Sequence, residues 1–234
     1  MNNLNYPKHI AVIPDGNRTW AKWKWYEPFV GHLEWFNRIV ELGKYIFEET
    51  PIQVYTAWGL STENLKNRSE AELTYLFELY KKISTDMFDI LKKNNVNFRI
   101  AGSRQGLPQH LLDFLDSKVE ELTFKDSNRY MFLAINYGWQ DEILRAMEKM
   151  CKNNEEPTKE NLEKYMDFGN LPPVELVIRT KQKLAKRLSW FMLWWIGYAQ
   201  LYFTDLFFPE FNTEELKKAL EWYSLTVKTQ NYWK

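Results

Sequence analysis

The sequence predicts an α/β protein in which helices flank one central, mostly parallel sheet of about six strands. Short β-branched or apolar runs alternate with longer helical patterns along the 234 residues, which is typical of βα units. Hydrophobic residues make up 45% of the chain and charged residues 26%, a composition that favours a folded core over disorder. We expect a single domain over residues 1–234, because the strands on both sides of the polar stretch 152–159 are needed to complete one sheet.

The strands and helices follow from local patterns. Ser69 and Glu72 have the spacing of a capping box, and an apolar stripe follows as far as Leu91, which predicts a long amphipathic helix. Asn212 and Glu215 form a similar pair before a helix at 213–228. Further helices are predicted at 33–49, 107–122 and 141–151. The predicted strands are 9–14, 52–60, 96–101, 130–135, 174–178 and 201–204.

Charge and composition exclude several classes of function. Lys plus Arg and Asp plus Glu both number 31, so no overall positive field attracts nucleic acid, and we expect no nucleic-acid partner. The longest apolar run, 190–199, is shorter than the roughly 20 residues that span a bilayer, and no signal-peptide core is evident, so we expect a cytoplasmic protein. The single cysteine, Cys151, excludes an internal disulfide.

The first candidate motif, Asp15-Gly16-Asn17, directly follows the first predicted strand. A carboxylate at the carboxyl end of a strand, ahead of a helix start, can hold Mg²⁺ beside a bound diphosphate. Asp-Gly is also an ordinary turn sequence, so the motif alone leaves both interpretations open.

Two further segments are equally ambiguous when taken alone. Gly31-His32 opens a helix, where a histidine can contact phosphate or simply cap the helix. Ser61, Thr62, Glu63 and Asn64 follow the second strand, where such side chains position a substrate or form an ordinary loop.

The last candidate is a basic segment that begins at the end of the fifth predicted strand. Seven of the eleven residues from 179 to 189 are Arg, Lys, Thr or Ser, and these include Arg179, Arg187 and Ser189. Guanidinium forks and hydroxyls without a nearby acid suit a diphosphate, although charge runs are also common on solvated surfaces.

A series of segments occurs in this chain order: HxxxxxDGN, GH, STEN, NYG, IRT with a later RxS, and YFTD. Together they resemble the cis-prenyltransferase family, typified by undecaprenyl diphosphate synthase. The resemblance extends from residue 9 to about residue 211. It implies a homodimer with an elongated hydrophobic tunnel lined by the helix after Ser69. The implied reaction condenses isopentenyl diphosphate with an allylic diphosphate and forms a Z double bond, with a product that partitions to the membrane and brings the enzyme to its periphery.

The resemblance also assigns roles to residues. It implies that Asp15 and Asn64 are catalytic and that Asp15 holds Mg²⁺ on the leaving diphosphate. It implies a substrate-binding role for Gly16, Asn17, Arg18, Trp20, His32, Ser61, Thr62, Glu63, Arg68, Arg179, Arg187 and Ser189.

Several positions depart from the family pattern. Thr19 and Pro28 stand where arginines are usual, and Arg68 falls one position late. Gln200 occupies the position of the glutamate that completes the metal site across the dimer, and a neutral amide is a much poorer Mg²⁺ ligand. These departures leave an alternative open, in which the chain is a non-catalytic member that binds prenyl diphosphates or partners an active subunit.

The chain has 11 Trp and only 9 Gly. Trp25, Trp35, Trp139, Trp190 and Trp233 stand where the family pattern usually has glycine or another small residue. Either these are genuine tryptophans, or the gene uses UGA for glycine and the printed residues are misread. Under misreading, we expect the indoles to be exposed or crowded at turns and not buried in the core.

Overall fold

The computed structural model describes residues 4–181 and 186–231. Trp233 and positions 182–185 of the basic segment lie outside the described residues. In the described part of the chain, six strands form one all-parallel sheet: β1 (His9–Ile13), β2 (Val54–Trp58), β3 (Asn97–Ala101), β4 (Tyr130–Ala134), β5 (Leu176–Arg179) and β6 (Gln200–Phe203). This confirms the predicted fold class.

The helices are α1 (Asn17–Trp23), α2 (Pro28–Glu49), α3 (Thr62–Asn67), α4 (Glu70–Asp86), α5 (Phe88–Lys93), α6 (Gln109–Glu121), α7 (Trp139–Lys152), α8 (Lys159–Tyr165) and α9 (Thr213–Asn231). The short helices α1, α3 and α8 were not predicted. The stripe from Ser69 to Leu91 was predicted as one helix, but Met87 divides it into α4 and α5. Both pieces still pack on the same core, which explains the continuous apolar pattern.

Helices cover both faces of the sheet. In β1, Ile10 and Val12 face a core shared with α2, α4, α6 and α9, whereas Ala11 and Ile13 face a second core shared with α7 and α8. All four side chains are buried. Burial on both faces explains why β1 is a continuous apolar run and not an alternating one.

The strand order is β3-β4-β2-β1-β5-β6. The chain leaves β1 towards β2 on one side of the sheet and leaves β5 towards β6 on the other. A crevice therefore opens between the carboxyl ends of β1 and β5, where open α/β sheets generally bind ligands.

Gly31 allows α1 and α2 to pack closely beside this crevice. A Cβ atom at Gly31 would lie 2.2 Å from the backbone oxygen of Asn17, so any other residue would push the two helices apart. Gly16, before α1, has a φ of +100°, which favours glycine. These two positions give a structural reason for the glycines of the DGN and GH motifs.

His9, which opens the first motif, is buried at the other end of β1. Its ring nitrogens lie 2.9 Å from Thr56 Oγ1 and 3.0 Å from the backbone oxygen of Pro172. Burial lowers its pKa to about 4. His9 is therefore a neutral structural residue that links β1, β2 and the loop before β5.

None of the helices in the described ranges is long and apolar enough to cross a membrane.

The five tryptophans at family glycine positions differ in their surroundings. Trp25 is 95% exposed with a φ of 60°, as expected for a turn position that suits glycine. Trp190 is also exposed, and Trp139 is half-buried at the start of α7. Trp35, however, is 2% exposed and packs edge-on against Tyr80, so the expectation of an exposed or crowded indole is wrong there.

Replacing these indoles separates strained from packed positions. Trp25→Gly relieves a left-handed backbone that costs roughly 1–2 kcal/mol, partly offset by glycine's greater unfolded-state freedom, so the free energy of unfolding is expected to rise by up to about 1 kcal/mol. Trp35→Gly removes a packed core side chain and is expected to lower it by at least about 3 kcal/mol. Urea unfolding measures both. Equal destabilisation by the two variants would show that Trp25 is a packed, genuine tryptophan.

Candidate active site

A pocket of about 330 Å³ lies at the carboxyl ends of β1, β2 and β5, and its wall is mostly polar. The structure brings most of the predicted site residues to this one place. Those that line the pocket are Asp15, Gly16, Asn17, Arg18, His32, Ser61, Glu63, Asn64, Arg68, Arg179, Arg187 and Ser189.

Three predicted site residues lie elsewhere. Thr62 lines a neighbouring cavity of about 570 Å³, and the ring of Trp20 packs beside that of Tyr26. Gln200 begins β6, so it lies at the amino end of a strand, whereas Asp15 follows the carboxyl end of β1. Because the strands are parallel, Gln200 and Asp15 of one protomer therefore lie at opposite ends of the strands.

Asp15 and Arg179 join the ends of β1 and β5. Arg179 donates from Nη2 to Asp15 Oδ2 at 3.0 Å, and its guanidinium is almost fully buried. The Thr180 hydroxyl accepts from the Asp15 backbone N–H at 2.9 Å and donates to its carbonyl at 2.8 Å. Burial lowers the pKa of Arg179, while the nearby Asp15 carboxylate opposes that shift. The two side chains therefore fix each other at the base of the pocket.

Arg179 also holds the end of the basic segment. Its Nη1 donates to the backbone oxygen of Arg187 at 2.8 Å and to Ser189 Oγ at 3.0 Å. Ser189 has a φ of 55°, a left-handed conformation that is uncommon for serine. One buried guanidinium thus places Asp15, Arg187 and Ser189 around the same space.

The positive charge of the pocket comes from side chains. Arg18, Arg68, Arg179, Lys181 and Arg187 all line it. The start of α1 was expected to add positive charge through its helix dipole, but this contribution is small because α1 has only seven residues. Lys181 was not singled out from the sequence, although it lies at the end of β5, 4.0 Å from Asp15 Oδ1.

Glu72 gathers a second group of side chains at the pocket. Its Oε1 lies 2.9 Å from His32 Nε2 and 3.3 Å from Arg68 Nη1, and its Oε2 lies 3.6 Å from Arg18 Nη1. Burial lowers the pKa of His32, and Arg68 lowers it further, whereas Glu72 opposes the shift. Burial therefore favours the neutral form of His32. Sequence reasoning assigned Glu72 only to helix capping.

Buried polar atoms without a hydrogen-bond partner concentrate at this pocket. Among the described residues they include Asn17 Oδ1, Arg68 Nε and Arg179 Nε. Unpaired buried polar atoms are costly, so native structures keep them mainly where they have a use. All three residues line the pocket, and the two guanidinium groups among them are N–H donors that suit an anionic ligand.

The pocket also has an apolar part. Trp35, Trp58, Leu60 and Leu76 lie on its wall, and Trp190 lies beside Ser189. A ligand with an anionic head and a hydrocarbon tail therefore matches the two kinds of wall.

Behind the pocket, Glu142 connects α7 to the segment after Ser189. Its Oε2 accepts from Tyr137 Oη at 2.5 Å, and its Oε1 accepts from the Asp167 backbone at 3.0 Å and from Trp195 Nε1 at 3.3 Å. Burial, together with the charge of Asp167, raises the pKa of Glu142 to about 7. Sequence reasoning missed this cluster, because Asp167 and Trp195 lie 25 and 53 residues from Glu142 in the chain.

Comparisons with known proteins agree with this geometry. Residues 13–230 match a family model described as "Putative undecaprenyl diphosphate synthase". The chain is 39% identical over 219 residues to the isoprenyl transferase of Treponema denticola, covering 92% of this chain and 93% of the relative.

Two solved structures are also similar. One is lavandulyl diphosphate synthase from Lavandula x intermedia in complex with dimethylallyl diphosphate, with a TM-score of 0.84, 26% identity and coverage of 94% of this chain and 95% of that chain. The other is a probable undecaprenyl diphosphate synthase from Campylobacter jejuni, with a TM-score of 0.71, 30% identity and coverage of 95% and 96%.

The chain therefore belongs to the cis-prenyltransferase family of undecaprenyl diphosphate synthases and isoprenyl transferases. The resemblance inferred from the sequence is confirmed, and so is the predicted activity, cis-prenyl chain elongation by an isoprenyl transferase.

Proposed function

We propose that the pocket at the carboxyl ends of β1, β2 and β5 holds both diphosphates of this reaction, with the allylic diphosphate beside Asp15 and isopentenyl diphosphate beside Arg187 and Ser189. The observation that carries this assignment is the Arg179 guanidinium, which contacts Asp15, the Arg187 backbone and Ser189 at 2.8–3.0 Å. It lies between the two groups of side chains, so two anions bound there would be neighbours.

The allylic half of the site would use side chains from the first two helices. Arg18 and Arg68 supply positive charge for the leaving diphosphate, and Asn17 lies on the same pocket wall. Asn64 lies across the pocket at the start of α3, where its backbone N–H donates to Ser61 Oγ at 3.0 Å. This bond caps the start of α3 and fixes the conformation of the STEN segment.

Asp15 fits a magnesium ion that is bound together with substrate. The described residues contain no cluster of three acidic, histidine or cysteine side chains that could form an all-protein metal site. Magnesium is commonly held by one or two carboxylates together with substrate phosphates and water, and Asp15 is a partly exposed carboxylate on a pocket that suits phosphates. When bound, the metal would neutralise charge on the leaving diphosphate.

The reaction breaks the allylic C–O bond, forms a C–C bond to isopentenyl diphosphate and releases a proton. The chain's own contribution would be to hold the two substrates in reactive contact and to stabilise the negative charge that develops on the leaving group. The prenyl tail would point towards Trp35, Leu76 and the predicted tunnel along α4.

We also propose that the chain, acting as one domain, forms a homodimer through the face that carries β6. Exposed apolar side chains occur on α7 and along the segment that leads into β6: Leu144, Met147, Trp190, Leu193, Trp194, Tyr198 and Leu201. A patch of this kind on a soluble protein marks an interaction surface. The edge strand β6, which begins with Gln200, lies beside it.

A charge placed in this patch should separate the protomers. Leu193→Asp is expected to convert a dimer, of twice 28.3 kDa, into a monomer, because an unpaired carboxylate would be buried at the interface. Analytical ultracentrifugation measures the change. Leu225→Asp is the control, since Leu225 is exposed on α9, outside the patch. A monomeric parent protein, or a Leu193→Asp variant that remains dimeric, would contradict the proposed interface.

Neutralising Asp15 tests the assignment of the site. Asp15→Asn is expected to lower incorporation of labelled isopentenyl diphosphate into butanol-extractable product by about 100-fold or more, because a preorganised charge contributes several kcal/mol to the transition state. Chelation of Mg²⁺ should abolish incorporation by the parent protein. Asp126→Asn is the matched control, at an exposed carboxylate in the loop before β4.

Two outcomes would count against these proposals. Undiminished activity in Asp15→Asn would remove Asp15 from the site. If the parent protein is inactive with every allylic primer and Gln200→Glu does not restore activity, but a second subunit does, then the chain is the non-catalytic partner that its departures from the family pattern allow.

A further inference from the structure

We propose that Glu72 is a positioning residue, which holds Arg18 and Arg68 on the pocket wall in the arrangement that receives the allylic diphosphate. This inference rests on the proposed function, because it takes the pocket to be the diphosphate site.

Glu72 joins side chains from three separate parts of the chain. Arg18 lies on α1, His32 on α2, and Arg68 in the short connection before α4. The Glu72 carboxylate, in the first turn of α4, lies within 2.9–3.6 Å of all three side chains. α1 and α2 also pack on each other through Gly31, and Arg68 lies four residues before Glu72, but the Glu72 carboxylate contacts all three side chains.

The position of Glu72 along α4 would suggest only a capping role. Ser69 Oγ accepts from the Glu72 backbone N–H at 3.3 Å, which satisfies one end of the capping pattern. The Glu72 carboxylate, however, is directed to His32 and the two arginines. A carboxylate used only for capping would turn back to the start of its own helix.

The carboxylate lies behind the basic side chains and not among them. Arg18, His32 and Arg68 all line the pocket, whereas Glu72 is not among the described residues that do so. The Glu72 side chain is 13% exposed and that of Arg68 is 14% exposed. A bound diphosphate would therefore meet the guanidinium groups first, with the Glu72 charge on their far side.

Electrostatics explains why a carboxylate is needed there. Two guanidinium groups beside one small pocket repel each other, and burial lowers the pKa of Arg68. An anion behind them offsets that repulsion and holds the largely buried Arg68 at the wall before substrate arrives, whereas Arg18, whose side chain is 57% exposed, is held less tightly. Preorganised donors lose less entropy on binding than mobile ones.

The sign of one measurement distinguishes positioning from simple charge. If Glu72 acts only as a nearby negative charge, Glu72→Gln should strengthen the binding of an anion. If Glu72 positions the arginines, Glu72→Gln should weaken it, because the amide keeps the shape of the side chain but releases the two guanidinium groups.

The test measures the affinity for inorganic diphosphate by calorimetry, and the KM values of both substrates, in Glu72→Gln. We expect the dissociation constant for diphosphate to rise about tenfold, the loss typical of a weakened partly buried ion pair. The KM of the allylic substrate should rise with it, and that of isopentenyl diphosphate should change less than twofold. Glu70→Gln is the matched control, because Glu70 is an exposed carboxylate in the first turn of the same helix.

A second variant keeps the inference testable if Glu72→Gln folds poorly. Arg68→Gln should weaken diphosphate binding strongly in the parent protein but only slightly in Glu72→Asp, whose shorter side chain no longer reaches Arg68. Additive effects of the two changes would overturn the inference, because they would show that the residues act independently.

The outcomes separate this inference from the proposed function. Unchanged or tighter diphosphate binding in folded Glu72→Gln overturns the positioning role alone. A parent protein that shows no diphosphate binding, while still incorporating isopentenyl diphosphate, would instead remove the proposed site.

Discussion

Strand β1 lies between β2 and β5, and all three strands run in the same direction. Because their carboxyl ends share one edge of the sheet, the segments that follow them must meet there. Asp15 follows β1, Ser61 and Asn64 follow β2, and Arg179 ends β5. The pocket is a consequence of strand order, since these residues are more than 100 positions apart in sequence at the extremes.

Once the residues meet, their charges have to be balanced. Arg179 is buried beside Asp15, and Arg68 is largely buried beside Glu72. A buried charge without a partner is strongly destabilising, so each carboxylate both stabilises the fold and fixes the direction of a guanidinium group. Asn17 Oδ1, Arg68 Nε and Arg179 Nε, on residues that line the pocket, have no hydrogen-bond partner. Stability and ligand binding therefore depend on the same side chains.

The sheet could be predicted because buried parallel strands are short, continuous apolar runs with turn residues after them. The short helices α1 and α3 could not, since six or seven residues carry little periodic pattern. The role of Glu72 was hidden because its capping position already explained it. Trp35 was wrongly expected to be exposed or crowded. It lies on the apolar stripe of α2 that also contains Ile39, Leu42 and Ile46, so helical periodicity already indicated a buried side chain.

The central claim is that the allylic diphosphate lies between Asp15 and the arginines held by Glu72. A crystal structure with Mg²⁺ and a non-hydrolysable allylic diphosphate analogue tests it most directly. We expect diphosphate oxygens within hydrogen-bond distance of the Arg18 and Arg68 guanidinium groups, with the prenyl tail directed towards Trp35. A diphosphate bound instead in the neighbouring cavity beside Thr62 and Lys66, with no contact to either arginine, would contradict the account.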